Sequence, residues 1–125
     1  MTNNEVTGMA DWMFDRDGRP QIIVDGDCFR SARGAVIGWI SGGSAYSLRG
    51  AHLGWYEGGV LYDGNNRAIS YCRAATGHLP SRPGLSGTPG MPGFAGRPGR
   101  PGLAGVPGRP GYGNWSDVLL ESFFE

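Results

Sequence analysis

A thirteen-residue stretch occurs twice in this chain, sixteen residues apart, and it limits the fold more than any other feature. Gly34-Ala35-Val36-Ile37-Gly38-Trp39-Ile40-Ser41-Gly42-Gly43-Ser44-Ala45-Tyr46 returns as Gly50-Ala51-His52-Leu53-Gly54-Trp55-Tyr56-Glu57-Gly58-Gly59-Val60-Leu61-Tyr62, with seven positions identical. One period upstream lie Gly18, Ile23 and Gly26, and one period downstream lie Asn66, Ile69 and Tyr71, so the outer units are degenerate copies and the total is four. Internal repetition of this kind outranks local propensity as evidence of fold.

Each unit reads as two short strands around a tight turn. Gln21–Val24, Val36–Ile40, His52–Tyr56 and Ala68–Cys72 are rich in β-branched and aromatic residues. Their partners are Cys28–Ser31, Ser44–Leu48 and Val60–Tyr62, with Trp12–Phe14 preceding the first unit. Asp25-Gly26-Asp27, Gly42-Gly43, Gly58-Gly59 and Asp63-Gly64-Asn65-Asn66 supply turns that accept positive φ. Strict alternation puts Ile37, Trp39, Leu53 and Trp55 on one face, with Gly38, Gly54 and His52 on the other. Closing four hairpins into a ring removes their exposed edges, whereas an open antiparallel sheet or two stacked hairpins leaves them bare.

The chain holds a second period. Glycine occupies every third position at Gly84, Gly87, Gly90, Gly93, Gly96, Gly99, Gly102, Gly105, Gly108 and Gly111. Three residues make one turn of a polyproline II helix, which lines these glycines along one edge and predicts a close-packed neighbour there. The pattern is collagen-like, with one departure. Pro83, Pro89, Pro92, Pro98, Pro101, Pro107 and Pro110 stand before a glycine, and no proline in this run stands after one. Fully extended, the segment spans roughly 85 Å, more than a 65-residue domain, so a straight arm would carry the C-terminal residues to another molecule. An arm that lies along protein surface, with its glycine edge against it, must instead bend or double back to plug its own ring.

Charge divides along the same lines. Residues 1–76 hold seven arginines against eight acids, the glycine-rich run holds Arg82, Arg97, Arg100 and Arg109 with no acid, and the end holds Asp117, Glu121 and Glu125. A basic rod beside an acidic end favours self-association, and four spaced arginines make too sparse a phosphate track for nucleic acid. The first residues lack the basic and apolar regions of a signal peptide, and no run is long and apolar enough to span a bilayer. The expected setting is the cytoplasm, where Cys28 and Cys72 stay reduced and act as packing residues. In residues 114–125, Ser116 is a candidate N-cap, and Leu119, Leu120, Phe123 and Phe124 share one helical face. So short a helix is unstable alone and must dock its stripe on a β ring, its own or a neighbour's.

Phe14-Asp15-Arg16-Asp17-Gly18-Arg19-Pro20, the repeated Gly-Trp, Leu61-Tyr62-Asp63 and a Pro-rich tail ending in Trp115-Ser116 resemble the bacterial four-fold β-flower proteins. That resemblance implies an all-β flower or barrel with a helix in its middle, distantly similar in shape to Tubby-like and scramblase-like barrels. It implies no biochemical activity. The Tubby likeness adds, by fold analogy alone, a lipid-headgroup or small-ligand binding module.

Chemistry is sparse. Asp15-Arg16-Asp17-Gly18 lacks the further oxygen ligands of a calcium loop and reads as a turn. His52 and His78 have no Cys, His or acid at metal-ligand spacing, and no nucleophile motif surrounds either. Neither a metal nor another cofactor is expected, nor is an enzyme. Trp39, Trp55, Tyr71 and His52 are the candidate ligand-binding residues, against the alternative that paired aromatics in a repeat are core. The expected organisation is a tail over residues 1–11, a β-flower over 12–76, a collagen-like polyproline II arm over 77–113 and an amphipathic helix over 114–125. The expected role is structural: a homo-oligomer, with a trimer favoured, assembled through the arm.

Overall fold

A computed structural model of the chain describes residues 10–125, and the first nine positions of the expected tail lie outside the described residues. Eight strands follow one another in a closed antiparallel barrel. They are β1 (Ala10–Phe14), β2 (Pro20–Asp25), β3 (Cys28–Ser31), β4 (Val36–Ser41), β5 (Ser44–Ser47), β6 (His52–Glu57), β7 (Val60–Tyr62) and β8 (Ala68–Cys72). β8 pairs with β1 through Met13↔Cys72 and Phe14↔Tyr71, so no edge stays open. Ring closure follows from the four-unit repeat. Ala10 and Asp11 belong to β1, so the barrel begins earlier than the sequence suggests.

The hairpin tips set the register. Gly42 and Gly43 have φ of 56° and 79°, and Gly58 and Gly59 have φ of 56° and 78°. Two successive positive values match the right-handed twist of the flanking strands. At the other end of the barrel, each strand pair carries a β-bulge that skips one residue: Gln21, Ile37, Leu53 and Ile69, sixteen apart. These bulges correct the expected alternation. Beyond each bulge the faces exchange, so Ile37 and Leu53 join the lumen while Trp39 and Trp55 turn outward. His52 likewise lies on the Trp55 side and not the Gly54 side, with ring centroids 5.0 Å apart.

One apolar cluster draws side chains from all eight strands and fills the lumen, including Met13, Ile22, Phe29, Ala45, Leu61 and Ile69. Two more lie on the outside. Trp12, Ile23, Trp55, Tyr62 and Tyr71 form one, and Cys28, Val36, Trp39 and Tyr46 the other. Both cysteines are buried and unpaired.

The outer clusters stay dry because the glycine-rich segment runs around the barrel over them. Its contacts rise through the four repeats in order: the amides of Ser86, Ala95 and Ala104 donate to the carbonyls of Gly18, Gly34 and Gly50. At the fourth repeat Asn66 donates from Nδ2 to the Pro110 carbonyl at 2.7 Å. Leu85 and Leu103 pack on the outer clusters. The circuit closes where Trp115 donates to Ser81 Oγ at 3.1 Å and its ring lies tilted against Tyr71, with centroids 5.8 Å apart. The segment therefore does not deliver the C-terminus elsewhere: it belts its own barrel.

The C-terminal helix is shorter than its sequence pattern suggests. α1 spans only Leu120–Phe123, with Leu119 as N-cap and no side-chain cap. Ser116 is not that cap: its hydroxyl donates to Asp63, and its amide to the Ala68 carbonyl, which anchors the chain to the barrel rim. Leu119, at 63% exposed, is not part of the plug. Leu120, Phe123 and Phe124 are, and they extend the lumen cluster.

Candidate functional site

Three features stand out among the described residues: the belt, the plugged mouth and a set of buried aromatics. The belt depends on close backbone approach. Gly18, Gly34 and Gly50 all have positive φ, of 79°, 95° and 91°, and a Cβ on any of them would overlap the carbonyl oxygen of Gly84, Gly93 or Gly102 respectively. Asn66 holds the equivalent fourth position at φ 61°, a conformation that asparagine tolerates. The belt glycines behave in the opposite way. A Cβ on any one of Gly84, Gly87, Gly90, Gly93, Gly96, Gly99, Gly102, Gly105, Gly108 or Gly111 would meet nothing within 4 Å. The close-packed neighbour expected along that edge is not this chain's own barrel.

Between these backbone contacts, arginines tie belt to barrel. Arg97 pairs with Asp27 and reaches Asp25, and Arg109 reaches Glu57 at 3.0 Å. Arg30, only 4% exposed, bonds Asp25 and the carbonyls of Gly34 and Ala95, and lies 4.4 Å from the Phe94 ring centroid. The four basic residues of the arm are therefore largely occupied within the molecule. The hydrogen bond from Tyr112, joined by Arg109, holds the Glu57 carboxyl below its usual range.

The belt also carries a nine-residue period. Pro83-Gly84-Leu85-Ser86, Pro92-Gly93-Phe94-Ala95, Pro101-Gly102-Leu103-Ala104 and Pro110-Gly111-Tyr112-Gly113 recur at that spacing. Nine belt residues span one sixteen-residue barrel repeat, so each large apolar residue meets an equivalent site. The signal is present in the sequence, masked by the more frequent glycine period inside it.

The candidate ligand residues do not converge. Trp39 lies in one outer cluster, Trp55 and Tyr71 in the other, and all three are at most 5% exposed beneath the belt. His52 bonds Ser44 Oγ at 3.1 Å and sits edge-on between Tyr46 and Trp55. They fill packing positions and line neither of the clefts found at the barrel mouth. Burial lowers the His52 pKa from its ordinary 6.5. The folded state thus refuses a proton that the unfolded state accepts below about 6.5, and stability present above that pH is lost beneath it. The urea midpoint should fall between about pH 7 and pH 5 and fall less in His52→Gln; an equal slope in both would exclude His52 as the cause.

At the mouth the plug meets bare strand. A Cβ on Gly38 would come within 2.7 Å of the Phe124 ring, and the Phe29 and Phe124 centroids are 5.1 Å apart. Flanking α1 are two clefts of about 350 and 230 Å³. Among the described residues no group of three or more His, Cys, Asp or Glu is placed to hold a metal, and no helix is long and apolar enough to cross a membrane.

A closed barrel of four bulged hairpin repeats, plugged by a C-terminal helix, defines a β-flower. The family model of the 4-fold beta flower protein matches residues 11–124, and the chain belongs to that family. The matched stretch includes the belt and the plug as well as the barrel. No curated protein and no solved structure matches the chain. Membership supports a small structural β protein of unknown activity.

Proposed function

We propose that the chain is an assembly module: a belted β-flower that joins other copies of itself through the outward glycine edge of its belt, in a collagen-like polyproline II conformation. One observation carries this reading. Glycine recurs at every third belt position, yet none of these ten glycines has a positive φ or a neighbour that would exclude a Cβ. Backbone conformation and intramolecular packing both leave the position free for alanine. A backbone from another copy, approaching that edge, supplies the missing constraint. The proposed number of copies is three, joined by local approach of backbone to the glycine edge, since a belt closed around its own barrel does not run along a triple-helix axis. The reading includes no catalytic role, and its cytoplasmic setting accords with two free, buried cysteines.

Sedimentation equilibrium tests it. The wild-type chain should associate, whereas the triple variant Gly87→Ala/Gly96→Ala/Gly105→Ala should be monomeric with an undiminished melting temperature. Each alanine enters open space and restricts the unfolded chain, an effect worth about 0.4–1 kcal/mol in favour of folding. A monomeric wild type, or a variant that still associates, would remove the basis for the reading.

A further inference from the structure

We infer that the larger cleft at the barrel mouth is a binding site for a small amphiphilic amine, with an apolar body and one cationic end. The cleft measures about 350 Å³, within the roughly 300–1,000 Å³ of small-molecule sites. The sequence builds it from two sources. The bulge at Ile37 tilts that side chain toward the mouth beside Ile22, and the plug supplies Leu120 and Phe124 from the opposite side. Leu48 closes the outer wall from its turn and is 41% exposed, a large apolar side chain that the fold leaves uncovered.

The charge of the rim selects the head group. Glu121 and Glu125 are the only charged side chains that line the cleft. Glu121 lies on α1 and Glu125 just beyond its C-cap, and both reach the same cleft. Among the described residues neither enters an ion pair, in contrast to Asp25, Asp27 and Glu57. Arg33 and Arg49, on the turns that carry Ala32 and Leu48, are exposed and do not line the cleft. Two carboxylates beside a wall of Ile22, Ile37, Leu48, Leu120 and Phe124 attract a cation with an apolar tail and repel a carboxylate with the same tail. Gln21 and Ser31 add neutral hydrogen-bonding groups at the edge. The occupant is a free small molecule, because the cleft between plug and barrel is of small-molecule size and the closed barrel offers no sheet edge for a peptide to extend.

Titration calorimetry with decylamine, decanol and decanoate, each below its aggregation threshold, tests the inference. Decylamine should bind one to one with a micromolar Kd and raise the melting temperature. Decanoate should bind about tenfold more weakly or worse, and decanol should fall between them. Glu121→Gln/Glu125→Gln should bring decylamine to the level of decanol. Leu48→Trp should fill the cleft and abolish binding of all three. Leu48 lies on an exposed turn, so this variant should keep its melting temperature; if it does not, Ala32→Phe fills the same cleft from the neighbouring turn. Absence of saturable heat, a melting temperature that only falls with decylamine, equal binding of decanoate, or binding that persists in the filled variants would each overturn the site. A failed titration leaves the sedimentation outcome untouched, so this inference and the assembly reading stand or fall separately.

Discussion

Gly34→Ala should cost about 3–4 kcal/mol and lower the melting temperature by roughly 10–20 °C. Two effects combine. At φ 95° an L-residue is strained by about 1–2 kcal/mol, whatever space surrounds it. The new Cβ would also overlap the Gly93 carbonyl, which is backbone and has no rotamer to relax into. Moving the belt aside breaks the Ala95 amide to Gly34 carbonyl bond of 3.2 Å and leaves the buried Arg30 guanidinium without the Ala95 carbonyl. It also loosens the belt over the outer cluster of Val36 and Trp39, against which Leu103 packs. The decisive control is Gly93→Ala on the other side of the same contact, whose Cβ faces open space. Thermal unfolding followed by circular dichroism should show a large drop for the first and nearly none for the second. Equal drops, or a loss under about 1 kcal/mol for Gly34→Ala, would mean that the belt is not clasped at this repeat.

The sixteen-residue repeat made the barrel legible because repetition and turn chemistry agree. Every second strand ends within a residue of its expected bound, and the Gly-Gly tips adopt the paired positive φ that their composition requires. The bulges were not legible. A bulge shifts the period-two pattern by one, and Val36-Ile37-Gly38-Trp39 reads equally well with or without it. The faces of Ile37, Leu53 and His52 were inverted as a consequence. The helix was overextended for a related reason: Ser116 and Asp117 satisfy N-cap preference, and Ser116 Oγ does accept from the Val118 amide. But its hydroxyl donates to Asp63, across 53 residues of sequence, and its amide to the Ala68 carbonyl, which pin it to the barrel before the helix begins. Spacing cannot report partners so distant.

Length alone left the course of the arm open between a straight rod and one bent back along protein surface, because its roughly 85 Å exceeds the diameter of a small domain while the length that decides is a circumference. Eight strands spaced about 4.8 Å apart and tilted about 40° give a backbone girth of about 50 Å, hence a radius of about 8 Å. A belt riding about 5 Å further out needs about 80 Å to go round once. The arm is thus as long as one circuit requires. That match explains why nine belt residues serve each barrel repeat, and why Trp115 returns to Ser81. It also changes what the glycines mean: with the belt's inner side occupied by Leu85, Phe94, Leu103 and Tyr112, the glycine edge is left outward.

Removing residues 114–125 should destabilise the protein more than any single substitution, because among the described residues the plug is the only element that reaches the lumen from outside the barrel. Phe123 is 7% exposed within the cluster to which every strand contributes. Phe123→Ala alone should cost about 3–4 kcal/mol, the range for deleting a buried phenyl group. The full deletion adds the Phe124 contact with Phe29, the Trp115 contact with Tyr71 and the Ser116 anchor on Asp63, and it exposes the lumen side of Gly38 to water. Leu119→Ala is the matched control: Leu119 belongs to the same apolar pattern but stands in solvent, so its loss should stay within about 0.5 kcal/mol. The ordering of the three by thermal unfolding is the test. A deletion variant that melts at the wild-type temperature would show that the barrel holds its lumen without a plug, and a Leu119→Ala loss as large as that of Phe123→Ala would mean that the helix is rotated to turn Leu119 inward.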